Sequence, residues 1–285
     1  MAFHNYPNTF ASEVYLFVNN LGRSLEFYQK ILGLRVLKKE QRRAVFTANG
    51  TDPLVTVEQP IPVIPGNPRK AGLYHVALLL PSRADLALIL AHLLKEGYPL
   101  QGGADHAVSE AVYLADPDGN GIELYHDRPA AQWKWNDGKV FMTTEALDEQ
   151  ILNESGGKEW EGMPEQTIIG HIHLQVADLK ASERFYCQGL GFDLVANFGD
   201  QADFISTGGY HHHIGLNTWR SKGIPATESE KIGMRDFTLA FTSSEARDAA
   251  IERLKAMGAP VTEENGRVMV SDPSNIRIVL GLKNK

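Results

Sequence analysis

The chain has 285 residues, 43% of them hydrophobic and 22% charged, with a formal net charge of −7. That length suits one to two domains with a full core, and 26 glycines with 14 prolines are near-average usage, which excludes a disordered or low-complexity chain. The acidic balance speaks against generic nucleic-acid or anionic-membrane binding, and the one cysteine, Cys187, excludes an internal disulfide and a Cys-rich zinc site. No apolar run approaches the ~20 residues of a membrane span. The start, Met1-Ala2-Phe3-His4-Asn5, lacks the basic and apolar regions of a signal peptide, so a soluble, cytoplasmic protein is expected.

In chain order, Glu13 to Leu21 alternates as a strand and Ser24 to Leu32 reads as a helix stopped by Gly33. A second strand, Gly72 to Leu78, is followed by Leu93, Gly97 and Pro99, then by a strand holding Tyr113 and the turn Asp116-Pro-Asp-Gly-Asn120. Residues 129–165 form a connector with Trp133, Trp135 and Trp160, too long for a bare loop and expected to hold a helix near Thr144–Leu152. Then the pattern starts again. His171 to Leu179 repeats Glu13 to Leu21 at an offset of 158, with identical residues at Leu16, Val18, Leu21, Ser24, Phe27, Tyr28, Leu32 and Gly33. The second helix is expected over Ser182 to Leu190, ended by Gly191. Gly233 to Leu239 matches Gly72 to Leu78; Leu254, Gly258 and Pro260 match Leu93, Gly97 and Pro99; Asp272-Pro-Ser-Asn275 is the last turn.

The segments divide into four modules, about 8–60, 70–126, 166–220 and 231–283, each a strand, a helix and short strands. The expected organisation is a first pair of modules over 1–128, a connector over 129–165 and a second pair over 166–285. This fourfold βαβββ pattern resembles the vicinal-oxygen-chelate superfamily of glyoxalases, bleomycin- and fosfomycin-resistance proteins and type I extradiol dioxygenases. The resemblance implies an α+β fold of two cup-shaped mixed sheets with a divalent metal inside a cup. The combination of Gly72-Leu-Tyr-His75, Asp105-His-Ala-Val-Ser-Glu-Ala111, Asp116-Pro-Asp-Gly-Asn-Gly-Ile-Glu123 and Ile168-Ile-Gly-His-Ile-His-Leu174 is similar to compact bacterial dioxygenases of the catechol-2,3-dioxygenase type.

In that family the metal ligands come from first and last strands of a module. The first-strand positions here hold Glu13, His75, His171 and Asp236; Glu123 is the clear last-strand acid, and Ile278 is read at the matching place in the fourth module. Pairing modules three and four would offer a poor site, whereas pairing two with three collects His75, Glu123 and His171. Two imidazoles and one carboxylate match the facial triad of non-haem Fe(II), with Mn(II) an alternative ion. A local site of Glu13, His75 and Glu123 is the competing assignment.

The resemblance further implies roles for residues around the metal. Tyr113 stands ten residues before Glu123, the interval at which the dioxygenases carry a tyrosine that hydrogen-bonds the substrate. In the run Tyr210-His-His-His-Ile214, strand alternation puts His211 and His213 on one face and His212 on the other. Aligning the following apolar triplet with the family gives the acid–base role to His212, with His211 and His213 as substrate contacts. His173 shares a face with His171, and His106 precedes the tyrosine strand, so both are expected to line the cup. His4, His92 and His126 receive no role, and Cys187 reads as buried filler.

The implied function is extradiol cleavage of catechol, or a small substituted catechol, by O2 at Fe(II), in a protein expected to form homo-oligomers and to bind neither nucleic acid nor membrane. No Gly-x-Gly-x-x-Gly turn or Walker loop signals an organic cofactor. The alternatives are a glyoxalase-like metal-dependent isomerase or thiol transferase, and a non-catalytic binding protein of the bleomycin-resistance kind.

Overall fold

The same local punctuation bounds each repeat, and it explains where the helices start and stop. In the computed structural model, which describes residues 2–67, 69–226 and 231–283, β1 (Phe10–Phe17) leads into α1 (Leu21–Glu26), whose last turn widens into a π-helical turn over Phe27–Ile31. The helix begins three residues before the expected Ser24, because the Asn20 side chain accepts a hydrogen bond from the Arg23 N–H and caps the first turn. Three strands follow: β2 (Arg35–Lys39), β3 (Arg43–Thr47) and β4 (Val55–Glu58). The second unit runs β5 (Gly72–Leu79), α2 (Arg83–Lys95), β6 (Leu100–Asp105), β7 (Ser109–Ala115) and β8 (Gly121–Asp127).

Residues 129–165 are not one helix. They carry the short strands β9 (Trp135–Asn136), β10 (Lys139–Val140) and β11 (Glu145–Ala146), and a 3-10 helix over Glu149–Ser155 capped by Asp148. The helix expected from Thr144 starts late because Glu145 and Ala146 pair with Asp105 and Ala104 at the edge of β6. The third unit holds β12 (Ile168–Gln175), α3 (Leu179–Arg184) with a π-helical turn over Phe185–Leu190, β13 (Asp193–Phe198), β14 (Ala202–Ser206) and β15 (Ile214–Asn217). As before, α3 starts earlier than expected, since Asp178 accepts from the Ala181 N–H. The fourth unit is β16 (Gly233–Phe241), α4 (Ser244–Ala256), β17 (Val261–Glu264), β18 (Arg267–Ser271) and β19 (Arg277–Leu282). Gly33 and Gly191, with φ of 71° and 88°, end the first and third helices in the left-handed region that glycine adopts without a Cβ clash.

Two curled sheets result, and each draws on both halves of the chain. The order β11-β6-β7-β8-β5-β12-β15-β14-β13 makes one sheet from the second and third units, through an antiparallel β5–β12 pair. The order β17-β18-β19-β16-β1-β4-β3-β2 makes the other from the first and fourth, through an antiparallel β1–β16 pair. The fold is therefore α+β, with two cup-shaped mixed sheets. A continuous core joins them, including Leu16, Tyr28, Phe46, Leu78, Leu174, Tyr186 and Phe237. The repeat also survives in its polar ties. The Tyr28 hydroxyl donates to Asp116 in the turn before β8, and Tyr186 donates to Asp272 in the turn before β19, each at 3.1 Å. Among the described residues, no helix is long and apolar enough to cross a membrane.

The N-terminal segment is fixed by His4, whose Nε2 lies 2.7 Å from the Gly170 carbonyl in β12. Burial, only partly offset by that hydrogen bond, pushes the ring pKa from 6.5 down to about 4. An unfolded chain protonates this ring between about pH 6.5 and pH 4 while the folded chain does not. The stability tied to the neutral ring is complete above pH 6.5 and is lost as the pH falls through that window, on the order of 3 kcal/mol in all. In urea titrations of the metal-free chain at pH 5, His4→Gln should reduce the protons taken up on unfolding by about one.

Candidate metal centre

Strand register, not proximity in sequence, assembles the candidate centre. Across four neighbouring strands, Tyr113 of β7 stands opposite Glu123 of β8, Glu123 opposite Ala77 of β5, and Ala77 opposite His171 of β12. The next row along the same face holds Gly121, His75, His173 and Gly215 of β8, β5, β12 and β15. Residues two apart on a strand face the same way, so both rows look into one cup. Ala77, the small residue between Glu123 and His171 in the first row, leaves space between the larger side chains. His75, Glu123 and His171 lean into it, all three buried.

The three donor atoms form a compact triangle. His75 Nε2 is 2.9 Å from Glu123 Oε2, His171 Nε2 is 3.1 Å from the same oxygen, and the two Nε2 atoms are 3.3 Å apart. Ligands on one face of an octahedron with bonds of about 2.1 Å stand about 3 Å from one another. The residues therefore fit a divalent ion, and all three border the cavity. Burial alone would raise the Glu123 carboxyl; His171 and His75 outweigh it and hold the group well below its ordinary range. Burial pushes His171 down to about 4 against the pull of Glu123, so the imidazole is neutral and its nitrogen is available as a ligand.

A cavity of about 1000 Å³ opens above the triangle, lined among others by Tyr74, His106, Tyr113, His173, Phe204, His212 and Trp219. His106 is fixed by the connector. Its Nδ1 is 2.7 Å from the Thr143 carbonyl, which can only accept, so Nδ1 carries a proton and Nε2 faces the Tyr113 hydroxyl 2.6 Å away. Burial first, and the Glu123 charge second, push the Tyr113 hydroxyl well above its usual pKa, so it stays protonated. His173 Nε2 is buried without a hydrogen-bond partner among the described residues. The His212 ring lies 4.1 Å from that of His171, centroid to centroid, and burial together with the neighbouring His171 and His211 keeps it neutral far below its ordinary pKa.

The other two histidines of the run are not at the cavity. Residues 210–213 are not strand but an irregular segment before β15, and of their three histidines only His212 lines the cavity. His211 is fully buried with Nε2 2.8 Å from Asp127 Oδ1. His213 is fully buried too, its Nε2 3.1 Å from the Phe3 carbonyl and its Nδ1 accepting from the Thr207 N–H. Both are satisfied behind the wall, so the expected substrate contact at His211 and His213 is corrected. The local site with Glu13 is corrected as well: Glu13 lies on β1 in the other sheet and accepts a 2.6 Å hydrogen bond from Thr56. Asp236 is on β16 in that same sheet, ion-paired with Arg235 and Arg267. The counterpart of Glu123 in the fourth unit is Val279, which pairs with Thr238 and Met269, and not Ile278.

Tyr74, Phe204 and Trp219 are cavity residues that sequence patterning does not single out. Strict alternation sends Tyr74 to the face opposite His75. The register instead shifts between His173 and Leu174, which pair with His75 and Leu73 and leave Tyr74 as the extra residue of a bulge. Bulges re-aim side chains, and the Tyr74 ring sits 5.1 Å from those of both His173 and Trp219.

Comparison with known proteins agrees with this architecture. The family model for the glyoxalase/bleomycin resistance protein/dioxygenase superfamily matches residues 10–124 and 168–280. A curated protein of Bacillus subtilis (strain 168) named catechol-2,3-dioxygenase is 44% identical over 262 residues, covering 90% of this chain and 92% of that protein. Among solved structures, glyoxalase I from Zea mays superposes with a TM-score of 0.56 at 15% identity, covering 95% of this chain and 92% of the other. The cppA protein from Streptococcus pneumoniae TIGR4 gives a TM-score of 0.54 at 12% identity, covering 97% of this chain and 100% of that one. At these identities the structures speak to the fold alone.

Gly215 is where the cup tolerates no side chain. A Cβ there would stand 2.8 Å from the His173 ring. Gly215→Ala should tilt that imidazole into the cavity and cost about 1–3 kcal/mol as overpacking, read from urea denaturation together with a structure of the variant.

Proposed function

Because this chain belongs to the glyoxalase/bleomycin resistance protein/dioxygenase superfamily, we propose that it is an extradiol dioxygenase that opens catechol, or a small substituted catechol, with O2. The observation that carries this reading is the triangle of His75 Nε2, Glu123 Oε2 and His171 Nε2 at the cavity floor, with edges of 2.9 to 3.3 Å. The 44% identical relative named catechol-2,3-dioxygenase supports the same choice of chemistry. The three residues would hold Fe(II), or Mn(II), on one face of the ion. Such an ion would supply the electron exchange between an aromatic diol and O2 that side chains cannot perform.

The remaining steps belong to the chain. Aromatic rings from Tyr74, Phe204 and Trp219 give the cavity flat, apolar wall suited to a planar ring. The Tyr113 hydroxyl donates to His106, which leaves its oxygen lone pairs free to accept a hydrogen bond from a diol hydroxyl. His212 is neutral and buried beside His171, so it can take a substrate proton and return it to the product. His173, with an unpartnered Nε2, supplies a further polar contact at the same wall.

Aerobic assay with catechol and ferrous iron is the direct test. Iron-dependent oxygen uptake, with both atoms of labelled O2 in the ring-opened product, is the expected result. No uptake by fully iron-loaded protein across several catechols overturns the proposal, and thiol-dependent isomerisation in its place would favour a glyoxalase-like enzyme. His75→Ala, Glu123→Ala and His171→Ala should each lose bound metal, whereas Glu13→Ala and Asp236→Ala should retain it, as measured by elemental analysis after dialysis. His212→Phe should keep the metal and lower kcat by roughly 10²–10⁴-fold.

A further inference from the structure

A hydrogen-bonded chain runs behind the cavity wall and ends on His212. Tyr125 on β8 and Tyr210 are both fully buried, with hydroxyl oxygens 2.7 Å apart. The Tyr210 hydroxyl donates to Asp127 Oδ1 at 3.2 Å. His211 Nε2 lies 2.8 Å from that same carboxylate oxygen, and His211 Nδ1 lies 2.8 Å from His212 Nδ1. The Trp133 ring packs over His211, its centroid 5.1 Å away, and closes the chain from the connector side.

The directions of these bonds follow from which atoms can donate. An ionised carboxylate only accepts, so His211 carries a proton on Nε2. With that proton on Nε2 and a single proton on the ring, His211 has a bare Nδ1 and accepts in its contact with His212. The single proton between the two Nδ1 atoms therefore sits on His212. That leaves His212 Nε2 as a lone pair, on the ring that faces the cavity.

We propose that Asp127 and His211 are positioning residues that fix His212 in the Nδ1-protonated tautomer, with Nε2 presented to the cavity as an acceptor for a substrate hydroxyl. The catalytic consequence rests on the dioxygenase reading; the tautomer does not. A carboxylate behind a reacting imidazole acts in this way by selecting tautomer and orientation, without itself taking up the proton. Here an intervening second imidazole transmits the selection. The arrangement explains why three consecutive histidines occur although only His212 reaches the cavity: His211 orients it, and His213 anchors the N-terminal segment through Phe3.

Nitrogen NMR of the full chain with 15N-labelled histidine, metal-free and loaded with diamagnetic Zn(II), reads these protons directly. His211 should be protonated on Nε2 only and His212 on Nδ1 only, in both forms. His212 protonated on Nε2, or His211 protonated on both nitrogens, overturns the proposal. Asp127→Leu removes the acceptor and should release His212 into mixed tautomers, with kcat for catechol down by about 10²-fold and KM and metal content unchanged. Asp127→Asn keeps an amide oxygen that can accept from His211 and Tyr210, and should restore the single tautomer and most of the turnover. A wild-type tautomer and wild-type kcat in Asp127→Leu also overturn the proposal. If the wild-type protein cleaves no catechol, the NMR readout still decides the positioning claim, and only the dioxygenase reading falls.

Discussion

The antiparallel contact between β5 and β12 is the constraint on which the site depends. It joins units separated by the connector, and its register sets His75 opposite His173 and His171 opposite Ala77. Because side chains alternate along a strand, a slip of one residue would send one of the two ligand imidazoles to the other face. The parallel β5–β8 pair then places Glu123 beside Ala77, completing the row. No local motif could build this site, since its members come from three strands in two units. Gly215 lets the His173 ring, and Gly121 the Tyr74 carbonyl, approach closer than a side chain at either position would allow.

Convergence has an energetic cost that identifies its purpose. Two imidazole Nε2 atoms and a carboxylate oxygen lie within 3.3 Å of one another, and protons that serve both contacts to the oxygen leave the Nε2–Nε2 contact unsatisfied. Burial strengthens the mismatch, because water cannot solvate the contact that is left over. A divalent cation at the centre satisfies all three atoms at once. The surrounding polar groups are, by contrast, mostly paired without help: His106 on Thr143 and Tyr113, His211 on Asp127, and His213 on Phe3 and Thr207. His173 and the outer nitrogen of His171 are left without partners among the described residues, and both lie at the triangle or beside it.

Much of this was legible in the sequence because repetition and strand period are strong signals. The spacing of Tyr113 and Glu123 becomes a cross-strand pair because the five-residue turn Asp116–Asn120 is closed by Asp116 itself, whose carboxylate accepts from the Asp118 and Asn120 N–H groups. What was hidden depended on local departures from that period. Tyr74 enters the cavity through a bulge, and an extra residue of that kind leaves no mark in an alternating pattern. The early helix starts at Leu21 and Leu179 were missed because Asn20 and Asp178 read as strand-end polar residues until their capping bonds are seen. The partners of His211 and His213 come from β8 and from the N-terminal segment, so local patterning does not show what occupies those rings.

The second sheet acts as an internal comparison, since it repeats the same rows with different side chains. Where the first has Tyr113, Glu123, Ala77 and His171, the second has Met269, Val279, Thr238 and Glu13 in the same pairings. Where the first has His75, His173 and Gly215, the second has Asp236, Tyr15 and Thr56. Even the bulge is kept, with Arg235 as the extra residue in the position of Tyr74, its guanidinium 4.4 Å above the Tyr15 ring. Glu13 and Asp236 there are held by Thr56 and by two arginines, and a side chain fills the place that Gly215 leaves open. The backbone framework thus forms equally well around ion pairs and apolar contacts as around the His–Glu–His triangle. The fold accounts for the cup, and the exchange of three side chains accounts for which cup can hold a metal.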